Sequence, residues 1–72
     1  MQKIEFHLDG RDYVELNQLL KLTGVCDSGG AGKALVAAGG VSVNGRPESR
    51  KTCKILANQT VTLGDLNIRV LI

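Results

Sequence analysis

The 72-residue chain has no tryptophan, one tyrosine, one phenylalanine and one proline. A core built almost without aromatics has to be filled by Leu, Ile, Val and Ala, in a domain close to the smallest that folds without disulfides or metal. Two cysteines, Cys26 and Cys53, are too few and too far apart for a zinc site, which draws four ligands from closely spaced pairs. In a reducing compartment they pack as small hydrophobes. His7 is the only histidine. No run approaches the ~20 apolar residues of a membrane span. The first ten residues, MQKIEFHLDG, carry acids where a secretory signal would carry its apolar segment, so the expected compartment is the cytoplasm. At 43% hydrophobic and 22% charged residues the chain is a folded protein and not a disordered tail. Nothing in it calls for a metal or a cofactor.

The stretch DSGGAGKA, residues 27–34, approaches the phosphate loop G-x-x-x-x-G-K-[ST]. Gly32 and Lys33 match. Asp27 stands where the first glycine belongs and would repel phosphate, and Ala34 offers no hydroxyl for magnesium. The loop also works within a parallel sheet with crossover helices, which usually takes ~100 residues or more. A nucleotide hydrolase is therefore not expected.

Charge is distributed unevenly. Residues 1–27 hold three bases and five acids, whereas residues 28–54 hold five bases and one acid. A small domain polarised in this way has one face suited to a polyanion.

Ile4, Phe6 and Leu8 alternate with polar residues, Asp9-Gly10 is a tight-turn pair, and Arg11 to Val14 can run back, which predicts an opening hairpin. Leu16, Leu19, Leu20 and Thr23 share the i, i+3, i+4, i+7 spacing of one helical face, predicting a helix over Glu15–Thr23 that ends at Gly24. Ser28 is the natural N-cap of a second helix. Ala31, Ala34, Leu35 and Ala38 repeat the spacing, which puts Lys33 on the solvent side. Gly39-Gly40 ends this helix.

Glycines at 29, 30 and 32 weaken such a helix by ~1 kcal/mol each relative to alanine. Two compatible uses fit them: close packing of one helix on the other, and approach of an anion to the unsatisfied N–H groups of the first turn. Beyond the helix, Val41 to Val43 reads as a strand that turns back at Asn44-Gly45 through Arg46 and Pro47. Pro47 suits an edge, since it donates nothing to a ladder. Arg46, Arg50, Lys51 and Lys54 then place four bases within nine residues. Thr60–Leu63 and Leu66–Ile72 flank Gly64-Asp65 as a closing hairpin.

The succession LNQLLKLTGV, S-G-G-x-x-K-A-L-V, G-x-V-x-V-N-G, a basic stretch and a terminal hairpin resembles the RNA-binding domain named after small-subunit ribosomal protein four. The resemblance runs from about Tyr13 to Val70, with VSVNG its most specific part. It is similar in detail to the stand-alone bacterial members of the YbcJ type, whose second helix also opens with S-G-G. The resemblance implies an α+β fold of the αL type, two packed helices against a small, bent antiparallel sheet, with RNA across the helix pair and the basic loop. Many members carry an arginine directly after the serine that starts the second helix; here Gly29 follows Ser28, which shifts the burden to Lys33 and the later bases.

The expected role is binding without catalysis, by Lys21 and Lys33 on the outer helix faces, Ser28 with the N–H groups of Gly29 and Gly30 as an anion site, and Arg46, Arg50, Lys51 and Lys54 as a positive extension. Asn44 has a turn role first and a reach to RNA second. Structured RNA, such as ribosomal or transfer RNA, fits better than single strands, because few aromatics are present for unpaired bases to stack on. The competing class is a protein-interaction module that uses an exposed edge strand near Val41–Val43 and the basic face. For an enzyme there is little: His7 has no matched partner, and Asp9 and Asp12 flank a turn.

Overall fold

A computed structural model describes residues 2–72, with the order β1 (Gln2–His7), β2 (Val14–Glu15), α1 (Leu16–Leu22), α2 (Gly29–Ala37), β3 (Val41–Val43), β4 (Arg46–Pro47), β5 (Lys54–Ile55), β6 (Thr60–Leu63) and β7 (Leu66–Leu71). The five-stranded sheet runs β1-β7-β6-β3-β4, and β2 pairs with β5 in a separate ribbon. Period-two alternation sorts its faces. Ile4, Phe6, Ile68, Val70, Val61 and Val41 share the side that meets the helices, while Lys3, Glu5, Arg69, Asn67, Thr60, Thr62 and Ser42 share the other. Leu16, Leu19 and Leu20 of α1 and Val36 of α2 close the core with Ile55, each wholly buried. Burying each such side chain contributes roughly 1.5–3 kcal/mol.

The helix ends follow local chemistry. After α1, Thr23 is followed by Gly24 at φ +81°, with Gly24 N–H donating to the Lys21 carbonyl and Val25 N–H to that of Leu20. These two bonds make a Schellman motif, and Val25 packs on the core beside it. At α2 the Ser28 hydroxyl accepts from Ala31 N–H at 3.1 Å, the expected N-cap. Asn44 and Gly45 both sit at positive φ, as the favoured two-residue hairpin turn requires, and β6 and β7 form the expected closing hairpin.

Three sequence expectations are corrected. The opening hairpin is absent: Asp9-Gly10 does turn the chain, but β1 lies parallel to β7 in a six-residue ladder and Val14–Glu15 pairs with Lys54–Ile55. The sheet is therefore mixed and not wholly antiparallel. A strand of six residues gains far more hydrogen bonds and burial beside β7 than along a short return strand. On α2 the buried face is Gly32 and Val36, with Gly29 half-buried, whereas Ala34 and Ala38 are exposed. Residues without side chains allow the closest approach, and a pattern based on apolar side chains does not register them. Finally, β3 is no edge: β6 covers one side and β4 the other, with Glu48 N–H donating to the Val41 carbonyl, so the strand on which the protein-interaction alternative relied is already paired. No helix among the described residues is long and apolar enough to cross a membrane.

Candidate nucleic-acid interface

Asn17, in the first turn of α1, is the joint of the candidate surface. Glu15 offers α1 no side-chain cap; instead, Leu16 N–H donates to the Cys53 carbonyl at 2.8 Å and Asn17 N–H to that of Lys51 at 3.1 Å. Carbonyls of the basic loop thus satisfy two of the orphan donors of the helix start. On its other side the Asn17 amide donates to the Gly29 carbonyl at 3.4 Å. A Cβ at Gly32 would lie 2.5 Å from the Asn17 carbonyl oxygen, so the two helices cross backbone to backbone there. One buried residue therefore fixes the basic loop on one side and the start of α2 on the other. Its own side-chain oxygen has no hydrogen-bond partner among the described residues.

Around this joint, Lys21, Lys33, Lys51 and Lys54 are exposed. At the head of α2, Ser28 takes up the N–H groups of Ala31 and Gly32, leaving those of Gly29 and Gly30 without a partner among the described residues. The two glycines differ. A Cβ at Gly29 would come within 2.9 Å of the Gln18 amide nitrogen, whereas one at Gly30 would meet nothing nearer than the Ser28 hydroxyl at 3.9 Å. A side chain at Gly29 would crowd the Gln18 and Asn17 amides of α1, whereas Gly30 has no packing role.

Asn44, Arg46, Arg50 and Lys54 line one open groove of about 570 Å³ between the β3–β4 turn and the basic loop. Asn44 is partly committed, since its side-chain oxygen accepts from Thr60 N–H at 2.9 Å. Arg50 is engaged too. Its Nε and Nη2 donate to the two carboxylate oxygens of Glu48, both at 3.1 Å, and its backbone N–H adds a third bond at 2.9 Å. Held by the Arg50 side chain and then its backbone, the Glu48 carboxyl is lowered from 4.5 to about 2, and Arg50 is raised in turn. Burial first and Glu48 second push the neighbouring Cys53 thiol upward, away from the reactive thiolate. This is the sole ion pair within 4.0 Å among the described residues. Three cations against one carboxylate still leave the groove positive.

Sequence reasoning did not single out Asn17, Glu48 or Tyr13. Each had a signal: a polar residue on the leucine face of LNQLL, the lone acid within the basic segment, and the only tyrosine. Two other expectations meet the structure directly. The stretch 27–34 follows α1 through a turn instead of a strand, which is not the setting of a phosphate loop. His7 Nδ1 donates to the Ile72 main-chain oxygen, 3.2 Å away, and has no side-chain carboxylate or thiol partner among the described residues, which also hold no group of three metal-ligating side chains.

The S4 domain family matches residues 6–71. YbcJ of Escherichia coli (strain K12), whose name marks it as a candidate RNA-binding protein, is 45% identical over 65 residues that cover 90% of this chain and 93% of that protein. YbcJ of Shigella flexneri matches to the same extent. The solution structure of Escherichia coli YbcJ, described as revealing an αL motif involved in RNA-binding, superposes with a TM-score of 0.74 at 43% identity, over 94% of this chain and 86% of that one. The chain belongs to the S4 domain family and has the αL fold.

Proposed function

We propose that this S4-domain protein binds structured RNA, without catalysis, through one continuous surface made of the α2 start, the outer faces of both helices and the groove beyond the basic loop. The observation that carries this reading is the convergence on Asn17. The residue that positions Lys51 and its loop also positions Ser28, Gly29 and Gly30, so two phosphate-binding elements from distant parts of the chain are held in a fixed relation. The αL motif of YbcJ supports the choice of RNA as the polyanion. Lys21, Lys33, Lys51 and Lys54 act as point charges on phosphates, and Arg46 contributes a planar fork. Arg50 reaches phosphate only through donors that Glu48 leaves free. Asn44 holds the turn with its oxygen and keeps its amino group available to donate to RNA. Such a surface reads phosphate spacing and helix shape more than base identity.

A gel-shift panel of ribosomal and transfer RNA hairpins, competed with excess heparin, tests the reading. Retention of a hairpin complex under competition is the expected result. Complexes that heparin removes completely, with equal affinity for any polyanion, refute it.

A further inference from the structure

Beside the proposed phosphate surface lies an open groove of about 690 Å³ between residues 10–15 and the outer face of α1, lined among others by Asp12, Tyr13, Glu15, Gln18 and Leu22. It exposes apolar surface where little is expected. Tyr13 is 39% and Leu22 51% solvent-exposed, two of the four large hydrophobic side chains left uncovered among the described residues. The Lys54 ammonium stands 4.9 Å from the centre of the Tyr13 ring. Lys54 also lines the groove of Arg46 and Arg50, and the Gln18 amide lies against Gly29 at the start of α2. The Tyr13 groove therefore borders both halves of the phosphate-binding surface.

Its chemistry differs from that of its neighbours. The side chains of Asp12 and Glu15 line it and make no hydrogen bond or ion pair among the described residues, while its one cation, Arg11, is engaged by the Leu8 and His7 carbonyls and the Phe6 ring, so phosphate is disfavoured inside. The same carboxylates accept hydrogen bonds from exocyclic amino groups and ring N–H groups of bases. Gln18 adds a donor and an acceptor. An aromatic ring, a leucine and acceptors, flanked by cations, suit an uncharged planar ligand attached to a phosphate chain.

Resting on the RNA-binding reading above, the geometry points to a pocket for one unpaired, amino-bearing nucleobase, guanine first, extruded from a paired stem and stacked at Tyr13. Guanine leads because its N1–H and N2 amino group lie side by side and match one carboxylate, whereas uracil offers a single N–H donor. One exposed ring suffices for one base, so the scarcity of aromatics is no obstacle. The stem remains on the cationic surface.

The test compares three hairpins of one stem sequence: fully paired, with a single bulged guanine, and with a single bulged uracil. Tyr13 is the only tyrosine, so its ring proton resonances report on this groove alone. The bulged-guanine hairpin should bind roughly fivefold to a hundredfold tighter than the paired one, from the usual strength of base–aromatic stacking, and should shift the Tyr13 ring resonances upfield. It should exceed the bulged-uracil hairpin by at least about fivefold. Tyr13→Ala should erase the guanine advantage while affinity for the paired hairpin stays within about twofold, and Tyr13→Phe should keep it. Leu22→Ser, at an exposed site, gives a second variant should Tyr13→Ala not fold. Equal affinity for all three hairpins, or Tyr13 resonances unmoved by the bulged guanine, overturns the pocket and leaves the phosphate surface standing. Failure of every hairpin to bind refutes the RNA-binding reading itself.

Discussion

Replacing Gly32 with alanine tests how the two helices are joined, because helix propensity and packing predict opposite signs. In a helix interior, alanine is favoured over glycine by about 1 kcal/mol. At Gly32, however, the added Cβ would lie 2.5 Å from the Asn17 carbonyl oxygen, 3.1 Å from its Cα and 3.2 Å from its carbonyl carbon, all backbone atoms. Ordinary contacts of this kind need about 3.5 Å or more, so the helices must separate by roughly 1 Å. Asn17 cannot yield cheaply, since its N–H is bonded to the Lys51 carbonyl and Leu16 is bonded to that of Cys53. Overpacking typically costs 1–3 kcal/mol, and separation also loosens Leu16, Leu20 and Val36. A net loss of about 1–3 kcal/mol is expected, which lowers Tm by roughly 5–20 °C in a domain this small. Gly30→Ala is the control: its Cβ meets nothing nearer than 3.9 Å, so stability should hold or rise by up to about 1 kcal/mol. Thermal unfolding followed by circular dichroism, with urea midpoints at unchanged m, measures both. A Gly32→Ala protein as stable as the parent would refute the backbone crossing.

The same surface yields further expectations. Lys51→Ala and Lys54→Ala should each flatten the log–log salt dependence of RNA affinity by about 0.7–0.9, the value of one released counterion, while Arg50→Ala should flatten it less because Glu48 already occupies its fork; affinity measured against salt separates them. Glu48→Gln should strengthen RNA binding severalfold, seen by titration, since it frees Arg50 and removes the one carboxylate in the basic groove. The same variant should alter acid stability. A carboxyl held at about 2 instead of 4.5 contributes stability that is complete above 4.5 and lost as pH falls toward 2, so urea midpoints across that window should fall less steeply for Glu48→Gln than for the parent. Gly30→Asp should weaken hairpin binding about tenfold while the thermal midpoint holds, because a carboxylate then sits at the free N–H groups of α2; unchanged affinity would remove the anion site.

Features governed by neighbours in the chain were readable from the residues. Ser28, Gly24, Asn44-Gly45 and Gly64-Asp65 each meet a local backbone requirement, a free first-turn N–H or a left-handed φ, so a few adjacent residues suffice to specify them. The basic segment was readable for the same reason, since four charges within nine residues lie close together in any conformation. Long-range choices needed the fold. Whether Ile4, Phe6 and Leu8 pair with the following residues or with β7, more than 60 positions away, depends on which ladder is longer and better buried, and alternation is identical in both cases. The buried face of α2 is marked by Gly32, whose contribution is the lack of a side chain, so its role exists only once Asn17 is opposite. That Glu48 closes on Arg50, that Lys54 lies over Tyr13, and that Asn17 ties the basic loop to the start of α2 are likewise decided by tertiary geometry, because hydrogen bonds and packing act over a few ångströms in space and not along the chain.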